Sequence, residues 1–514
     1  MPPWLGPSSR HILPFPARTS SPAPILRRPS LRLRSRVTNP QPRYSIAKFR
    51  SLDAYASQAS ALRIALVPLL MPLPGLAAAV LPALIPLQAP HLGYSPGFFC
   101  HAAFVDIVSG VGIMSIWRAV TDLSPRLFSS YEILAVSIVS ASLHVPVLYL
   151  AAHYWRYPIP FAWVLFTPVF LITLGIGHLV VLRQKLWRHC DFRDAFYTYA
   201  ASMILQSSQI FLYPAFTVLF DRVNNAGRVI LTVSFPFLKF FLKLAVQRLS
   251  RGIQDHRCEV SVCGVEVSAS LYQSMILQTS PSRLAMAIII GLDVVQGIVM
   301  IKWFLDKHTN IRVAMLSDAL LIDAARALVR RYTIASSRES SKANIHAIAI
   351  KETTVVRLRG RRDSTITRNE HTLILEHALA TAFIAEEVLL IEYMEVMVPL
   401  LHALCLLLTA RMPSSQFNRR LRPFFDDPSG SLLLESVQSI WIYSVLQGVS
   451  LLMMHVLMKH RYGIPGITQL AFVLERHRVS IIGKLIVWPP FILHFSLVQY
   501  GKTLVAGTQH FVLT

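Results

Sequence analysis

The chain has 514 residues, of which 53% are hydrophobic and only 15% are charged, and its mean hydropathy is +0.48. These values exclude an ordinary soluble domain of this length and indicate a chain that lies largely in lipid. The net charge is +23, but the basic residues lie mainly before or between the apolar runs. This distribution favours the lipid bilayer and its anionic headgroups as partners, and it argues against nucleic acid.

The first predicted element is a tail at 1–43, rich in proline, serine and arginine and expected to be disordered. An organellar transit peptide is the alternative interpretation of this composition. Residues 1–63 carry eleven lysines and arginines against the single acid Asp53. By the positive-inside rule, this bias predicts a cytoplasmic N-terminus.

Apolar runs of about 20 residues, enough to cross ~30 Å of hydrocarbon, predict an all-α polytopic bundle of about ten spans. Seven lie in an N-terminal membrane region at 44–305 and three in a C-terminal region at 378–501, followed by a short tail at 502–514. Five prolines predict that the first span is kinked or broken. If the seventh span does not cross, nine remain. The predicted spans are 64–87, 98–117, 133–152, 161–182, 195–220, 229–246, 284–305, 388–410, 432–458 and 479–498.

Two polar segments interrupt these runs. At 247–283, valines alternate with polar residues around Cys263 and Gly264, which predicts a small β-hairpin. The segment 306–377 is a basic loop, and its apolar spacing predicts an amphipathic helix at its start. With ten spans this loop falls outside the cytoplasm, against the positive-inside rule, so its side stays open.

The eighth span carries four glutamates, and ionisable groups within a span indicate function by default. Counting about 20 residues back from Arg411 places Glu386 and Glu387 in the headgroup layer and Glu392 and Glu395 just inside the hydrocarbon. We therefore predict a polar network built from the second pair. Its further candidate members are His402, Lys484 and Asp293, with Lys239 and Lys243 as other possible partners. An ion pair that only fixes helix packing is the competing interpretation.

No complete signature of a catalytic, cofactor or metal site is present. His256, Cys258 and Cys263 supply only part of a tetrahedral metal site, and their spacing is a weak signal. No phosphate loop, nucleophile elbow or His-Glu-x-x-His motif occurs. The five cysteines are odd in number and scattered, so no disulfide framework is indicated. We therefore predict no catalytic residues, no cofactor and no metal.

Four segments of the chain resemble motifs of a known protein family. They are YSIAKFRSLDAY at 44–55, IEYMEVMVP at 391–399, QLAFVLE at 469–475 and GKLIVW at 483–488. They are similar to recurring motifs of an expanded family of oomycete polytopic membrane proteins, to which no activity is assigned. The resemblance runs from about residue 44 to 501 and departs at His494 and Ser496. It implies the membrane architecture and no mechanism.

Three functions follow as hypotheses. The first is a multi-pass membrane protein with a transport, channel or sensing role that uses the Glu/Lys network. The second is a structural or interaction protein that recruits partners through its basic cytosolic segments. The third and least favoured is a membrane enzyme that modifies lipid or glycan. The sequence leaves the oligomeric state and the identity of the membrane open.

Overall fold

The structure is a computed structural model. It describes 44–279 without 122, 124–127, 189, 251, 252 and 254, then 291, 295 and 299, 322–329, and 368–501. The predicted tails at 1–43 and 502–514, Asp293 and most of the basic loop lie outside the described residues. The described part is helical and contains no strand beyond one isolated β-bridge between Asn418 and Leu497. The predicted all-α fold is therefore confirmed.

Fourteen labelled helices make up most of the described part of the chain, and residues 322–329 are helical as well. They are α1 Ile46–Gln58, α2 Ala61–Leu70, α3 Leu73–Val80, α4 Pro96–Val120, α5 Ser130–Tyr154, α6 Ala162–Arg188, α7 Cys190–Ser207, α8 Gln209–Arg222, α9 Asn225–Leu249, α10 Arg257–Thr279, α11 Arg368–Thr409, α12 Ser431–Tyr462, α13 Gly466–Arg476 and α14 Arg478–His494. Four 3₁₀ turns and the one-turn helix Arg422–Phe425 connect some of them.

Among the residues that the structure describes, seven helical segments are long and apolar enough to cross a membrane. They are Ala61–Leu84, Pro96–Val120, Ser130–Tyr154, Ala162–Arg183, Arg257–Gln278, Ile374–Thr409 and Ser431–Tyr462. Three predicted spans correspond to other helices of the same bundle. The run at 195–220 divides into α7 and α8 at Ser208, the run at 229–246 falls in α9, and the run at 479–498 falls in α14. The predicted span at 284–305 lies almost entirely outside the described residues.

The first span is broken, as its prolines predict. Ser60 caps the start of α2, its side chain accepting a hydrogen bond from the backbone N–H of Arg63. The chain then breaks at Met71 and Pro72 before α3, which continues into the 3₁₀ turn Leu81–Leu84. Proline lacks the N–H that an α-helix needs in its interior, so helix segments end or restart near it.

The predicted β-hairpin at 247–283 is wrong, because this segment forms the helix α10. The apolar window of α10 is 100% buried inside the bundle. A helix enclosed on all sides needs apolar residues around its whole circumference, so valines at alternate positions do not distinguish it from a strand. Its serines fit the same environment, since Ser261, Ser268 and Ser274 donate to carbonyl groups one turn earlier in the helix.

The helices α10 and α11 pack side by side and run in the same direction. At one end of their contact, Lys48 Nζ donates both to the carbonyl of Asp255, just before α10, and to Glu386 of α11. Farther along, Ser274 of α10 lies 2.8 Å from Nδ1 of His402. Because the helices are parallel, the chain must return from the end of α10 to the start of α11. It has returned by 322–329, where Arg326 lies 3.7 Å from Asp53 of α1.

The described part of the 306–377 loop, residues 322–329, therefore lies at the same end of the bundle as α1.

Small residues permit a close approach between α4 and α14. A Cβ on Gly483 would lie 2.9 Å from the carbonyl oxygen of Gly112, and a Cβ on Gly112 would lie 2.9 Å from that of Gly483. Such contacts let helix backbones pack tightly, which stabilises bundles in lipid where the hydrophobic effect is absent. This contact holds α14, and with it Lys484, against the core.

Candidate functional site: a network of buried glutamates and lysines

The helix α10 places two carboxylates in the core of the bundle. Glu259 and Glu266 are seven residues apart, about two helical turns, so they lie on nearly the same face. Both side chains are 0% exposed. An ionised carboxylate is costly to bury unless it is paired, so the partners of these two groups decide what they do.

The central cluster joins three helices. Lys239 Nζ of α9 lies 2.9 Å from Glu266 Oε2 of α10 and 2.5 Å from Glu395 Oε1 of α11. Lys243, one turn later in α9, lies 2.6 Å from the other oxygen of Glu266. Two lysines and two glutamates therefore form one contiguous group in which Lys239 is shared by two carboxylates.

A second pair lies two turns earlier along α10. Lys484 of α14 forms an ion pair with Glu259 Oε1, and Ser480 donates to the same oxygen at 2.7 Å. Lys484 Nζ also donates to the backbone carbonyl of Glu259 at 3.2 Å. The pair fixes α14 to the start of α10, and both side chains are buried.

A third pair ties the N-terminal helix to the bundle. Lys48 Nζ of α1 lies 2.8 Å from Glu386 Oε1, with side chains 1% and 0% exposed. Ser45, which caps α1, donates through its hydroxyl to Asp255 at 2.8 Å. The motif at 44–55 therefore packs against the start of α10 and the middle of α11.

Farther along α10, a serine contacts a buried histidine of α11. His402 Nδ1 of α11 faces the hydroxyl of Ser274, and the His402 side chain is 0% exposed. His402 lines a cavity of ≈ 30 Å³ together with His101, His494 and Asn418. Since a water molecule needs about 10 to 15 Å³ of such space, the cavity has room for about two or three.

A second cavity, of ≈ 60 Å³, lies beside the Glu259 pair. Lys484 lines it with Asp106, Gln206 and Thr167. Asp106 Oδ2 in turn lies 2.7 Å from Nδ1 of His144, and both side chains are buried. One cavity is therefore lined by Lys484 of the Glu259 pair, and the other by His402.

The predicted site residues do not form one cluster in the structure but take part in several separate contacts. Glu392 and Glu395 are both buried, at 2% and 4% exposure. Glu395 pairs with Lys239, one of the alternative partners named from the sequence, while Lys484 pairs with Glu259. His402 contacts Ser274 rather than a carboxylate of this set. Asp293 lies outside the described residues.

Glu386 and Glu387 were assigned to the headgroup layer. The structure buries Glu386 completely against Lys48, and Glu387 is partly buried and accepts a hydrogen bond from Gln247 at 2.5 Å. Glu386 therefore belongs to the buried set of ion pairs.

No protein-family model, curated protein or solved structure matches this chain. The resemblance to an oomycete family therefore stays a prediction.

Sequence reasoning missed Glu259 and Glu266. Their signal was present, because both stand in a run whose other residues are valine, serine, cysteine and glycine. Read as a helix, the run would have placed both carboxylates in a predicted span and marked them as functional candidates.

An exposed ion pair lies at the same end of the bundle as α1. Arg63 Nε donates to Glu475 Oε1 of α13 at 2.8 Å, and Tyr55 donates to the same oxygen at 3.2 Å. The hydrogen bond and the charge of Arg63 hold the pKa of Glu475 below its usual range. The Arg63 side chain is 58% exposed, so solvent screens this pair.

Proposed function

We propose that this chain is a multi-pass membrane protein that transports a proton or a small cation, and that Lys239, Glu266 and Glu395 carry the coupling. The observation that supports the proposal best is the sharing of Lys239 by two carboxylates on different helices. Charged groups inside a membrane bundle are expensive and mark ion or proton pathways in many transporters.

The shared lysine gives the cluster two alternative arrangements. If Glu395 accepts a proton, its attraction for Lys239 falls and the lysine is held by Glu266 alone. If a cation binds between the carboxylates, it competes with Lys239 in the same way. Either event changes how α9 is held against α10 and α11, which is the kind of two-state contact that transport requires.

The neighbouring cavities support a route through the cluster. Along α10, Glu266 lies about 10 Å from Glu259 and about 12 Å from Ser274 at ~1.5 Å per residue. These gaps exceed one hydrogen bond, so water molecules or helix movement must bridge them. One cavity is lined by Lys484 and the other by His402.

The competing function is structural. The central cluster is balanced, because two lysines, Lys239 and Lys243, face two carboxylates, Glu266 and Glu395. A balanced group can fix the register of three helices without moving any ion. This interpretation predicts a stable protein with no flux.

The test reconstitutes the purified protein in liposomes that contain a pH-sensitive dye. Proton and monovalent cation fluxes are measured under imposed gradients for the wild type, Glu395→Gln and Glu435→Gln. The last variant is the control, because Glu435 is exposed on α12 and belongs to no buried cluster described above. We expect flux in the wild type and in Glu435→Gln, and at least about a tenfold loss in Glu395→Gln, equal to ~1.4 kcal/mol. Absence of flux in the wild type, or equal flux in all three, contradicts the proposal.

A further inference from the structure

Three potential metal ligands meet at the end of the bundle where α10 begins. His256 lies just before α10, Glu259 lies in its first turn, and His477 joins α13 to α14. One ligand atom from each residue lies within 4.8 Å of the ligand atoms of the other two. We propose that these three residues form a binding site for a first-row transition metal ion, with Zn²⁺ as its preferred occupant.

The distances between the donors suit such an ion. The Nδ1 atoms of His256 and His477 are 3.2 Å apart. Two nitrogens bound to the same tetrahedral Zn²⁺ at about 2.0 to 2.1 Å are separated by about 3.3 Å. The two imidazoles are therefore already placed as neighbouring ligands, and the carboxylate needs a shift of about 1.5 Å or less to complete the set.

One buried polar atom at the site lacks a partner among the described residues. Oε2 of Glu259 is inaccessible to solvent and makes no hydrogen bond there. The His477 side chain is 2% exposed and that of Glu259 is 0% exposed. A metal ion would satisfy the second carboxylate oxygen, whereas the first is already held by Lys484 and Ser480. Leaving such groups without partners costs stability, which the ion would recover.

The donor set also indicates the class of metal. Two imidazoles and one carboxylate suit Zn²⁺ and its neighbours in the first row, and leave a position for water. His256 is partly exposed, which gives the ion a path from solvent. The ion would join the start of α10 to the junction of α13 and α14, elements that are more than 200 residues apart in sequence.

The nearby charges predict an unusual effect of one variant. Lys484 contacts Glu259 directly, and Lys48 and Arg476 act on His477 through their charge. Asp255 and Glu386 partly offset these cations, since they pair with Arg476 and Lys48. Removing the charge of Lys484 frees Glu259 for the metal, so Lys484→Met should bind the ion more tightly than the wild type.

The experiment uses the full chain, purified in detergent and stripped of metal with a chelator. Zn²⁺ is titrated in competition with a chromophoric chelator, and Co²⁺ is added separately to record its visible absorption. We expect one equivalent of Zn²⁺ in the wild type, tighter binding in Lys484→Met, and loss of the site in His256→Gln and His477→Gln. His91→Gln is the matched control, because His91 is exposed and far from the cluster in sequence.

Thermal unfolding gives an independent measurement in case His477→Gln folds poorly. Zn²⁺ should raise the melting temperature of the wild type and of His91→Gln, and should not raise that of His256→Gln. The proposal is overturned if the wild type binds no zinc at micromolar concentrations. It is also overturned if His256→Gln keeps both the bound equivalent and the thermal shift.

Discussion

The pair formed by Lys48 and Glu386 allows a quantitative test of how the N-terminal helix is held. The two side chains are 1% and 0% exposed, and their charged atoms are 2.8 Å apart. Removing one partner of a buried pair leaves the other charge uncompensated, which costs about 3 to 5 kcal/mol. We therefore expect Lys48→Met and Glu386→Gln each to lower the free energy of unfolding by that amount. Lys48→Met also removes the hydrogen bond to the Asp255 carbonyl, so it should be the more costly of the two.

The double variant Lys48→Met/Glu386→Gln separates the interaction energy of the pair from the effects of the single substitutions. Without either charge, no uncompensated ion remains, so the double variant should be more stable than Lys48→Met alone. The coupling energy should reach at least about 2 kcal/mol, well above the error of about 0.5 kcal/mol expected for independent sites. The free energy of unfolding is measured by circular dichroism in mixed detergent and SDS micelles for the wild type, the two single variants and the double variant.

The exposed pair supplies the control. Arg63→Met breaks the ion pair with Glu475, but Arg63 is 58% exposed and solvent screens the pair, so the loss of stability should be much smaller than that of either single variant of the buried pair. Additive losses in the double variant of the buried pair would refute the reasoning. Single losses no larger than that of Arg63→Met would refute it as well.

Three further predictions concern pH, packing and topology. Arg63 lowers the pKa of folded Glu475, so the ion pair stabilises the folded protein at pH values above the unfolded pKa of glutamate. This stabilisation is lost as the pH falls through the folded pKa. The melting temperature of Glu475→Gln should therefore fall less steeply at acid pH than that of the wild type. Gly483→Ala should lower the free energy of unfolding by about 1 to 3 kcal/mol, because its new methyl group overpacks the contact with α4. A methyl group on Gly175 meets nothing within 4 Å, so Gly175→Ala should be neutral or stabilising by up to about 1 kcal/mol. The same SDS titration measures both. The topology is tested with single cysteines introduced into a cysteine-free variant and labelled with a membrane-impermeant maleimide. Asp323→Cys and a cysteine in α1 should be labelled from the same side of the membrane. A cysteine in the loop between α11 and α12 should be labelled from the opposite side.

Much of the fold could be predicted because lipid imposes a simple rule on sequence. Long apolar runs must form helices, and the prolines near Pro72 identified the broken first span. The rule failed at α10, where serines and two glutamates reduce the apolar character of a helix that the protein itself encloses. Such a helix meets side chains rather than lipid, so its composition resembles that of a soluble core.

The candidate site was predicted only in part, for a different reason. The sequence identified Glu395 and Lys484 as buried charges, since each stands in an apolar run. It could not assign their partners, because those depend on which helices are neighbours. Lys239 and Glu259 lie on helices distant in sequence from Glu395 and Lys484, and only the packing of the bundle brings each pair together.

The central claim is that the cluster around Lys239 moves an ion and does not merely hold three helices together. The double variant Lys239→Met/Glu395→Gln tests it most directly, because it leaves Lys243 paired with Glu266 and keeps the cluster balanced. Its melting temperature and its proton and cation flux in liposomes are measured beside those of the wild type. We predict a folded protein of near wild-type stability whose flux is lost. A folded double variant with wild-type flux would contradict the account.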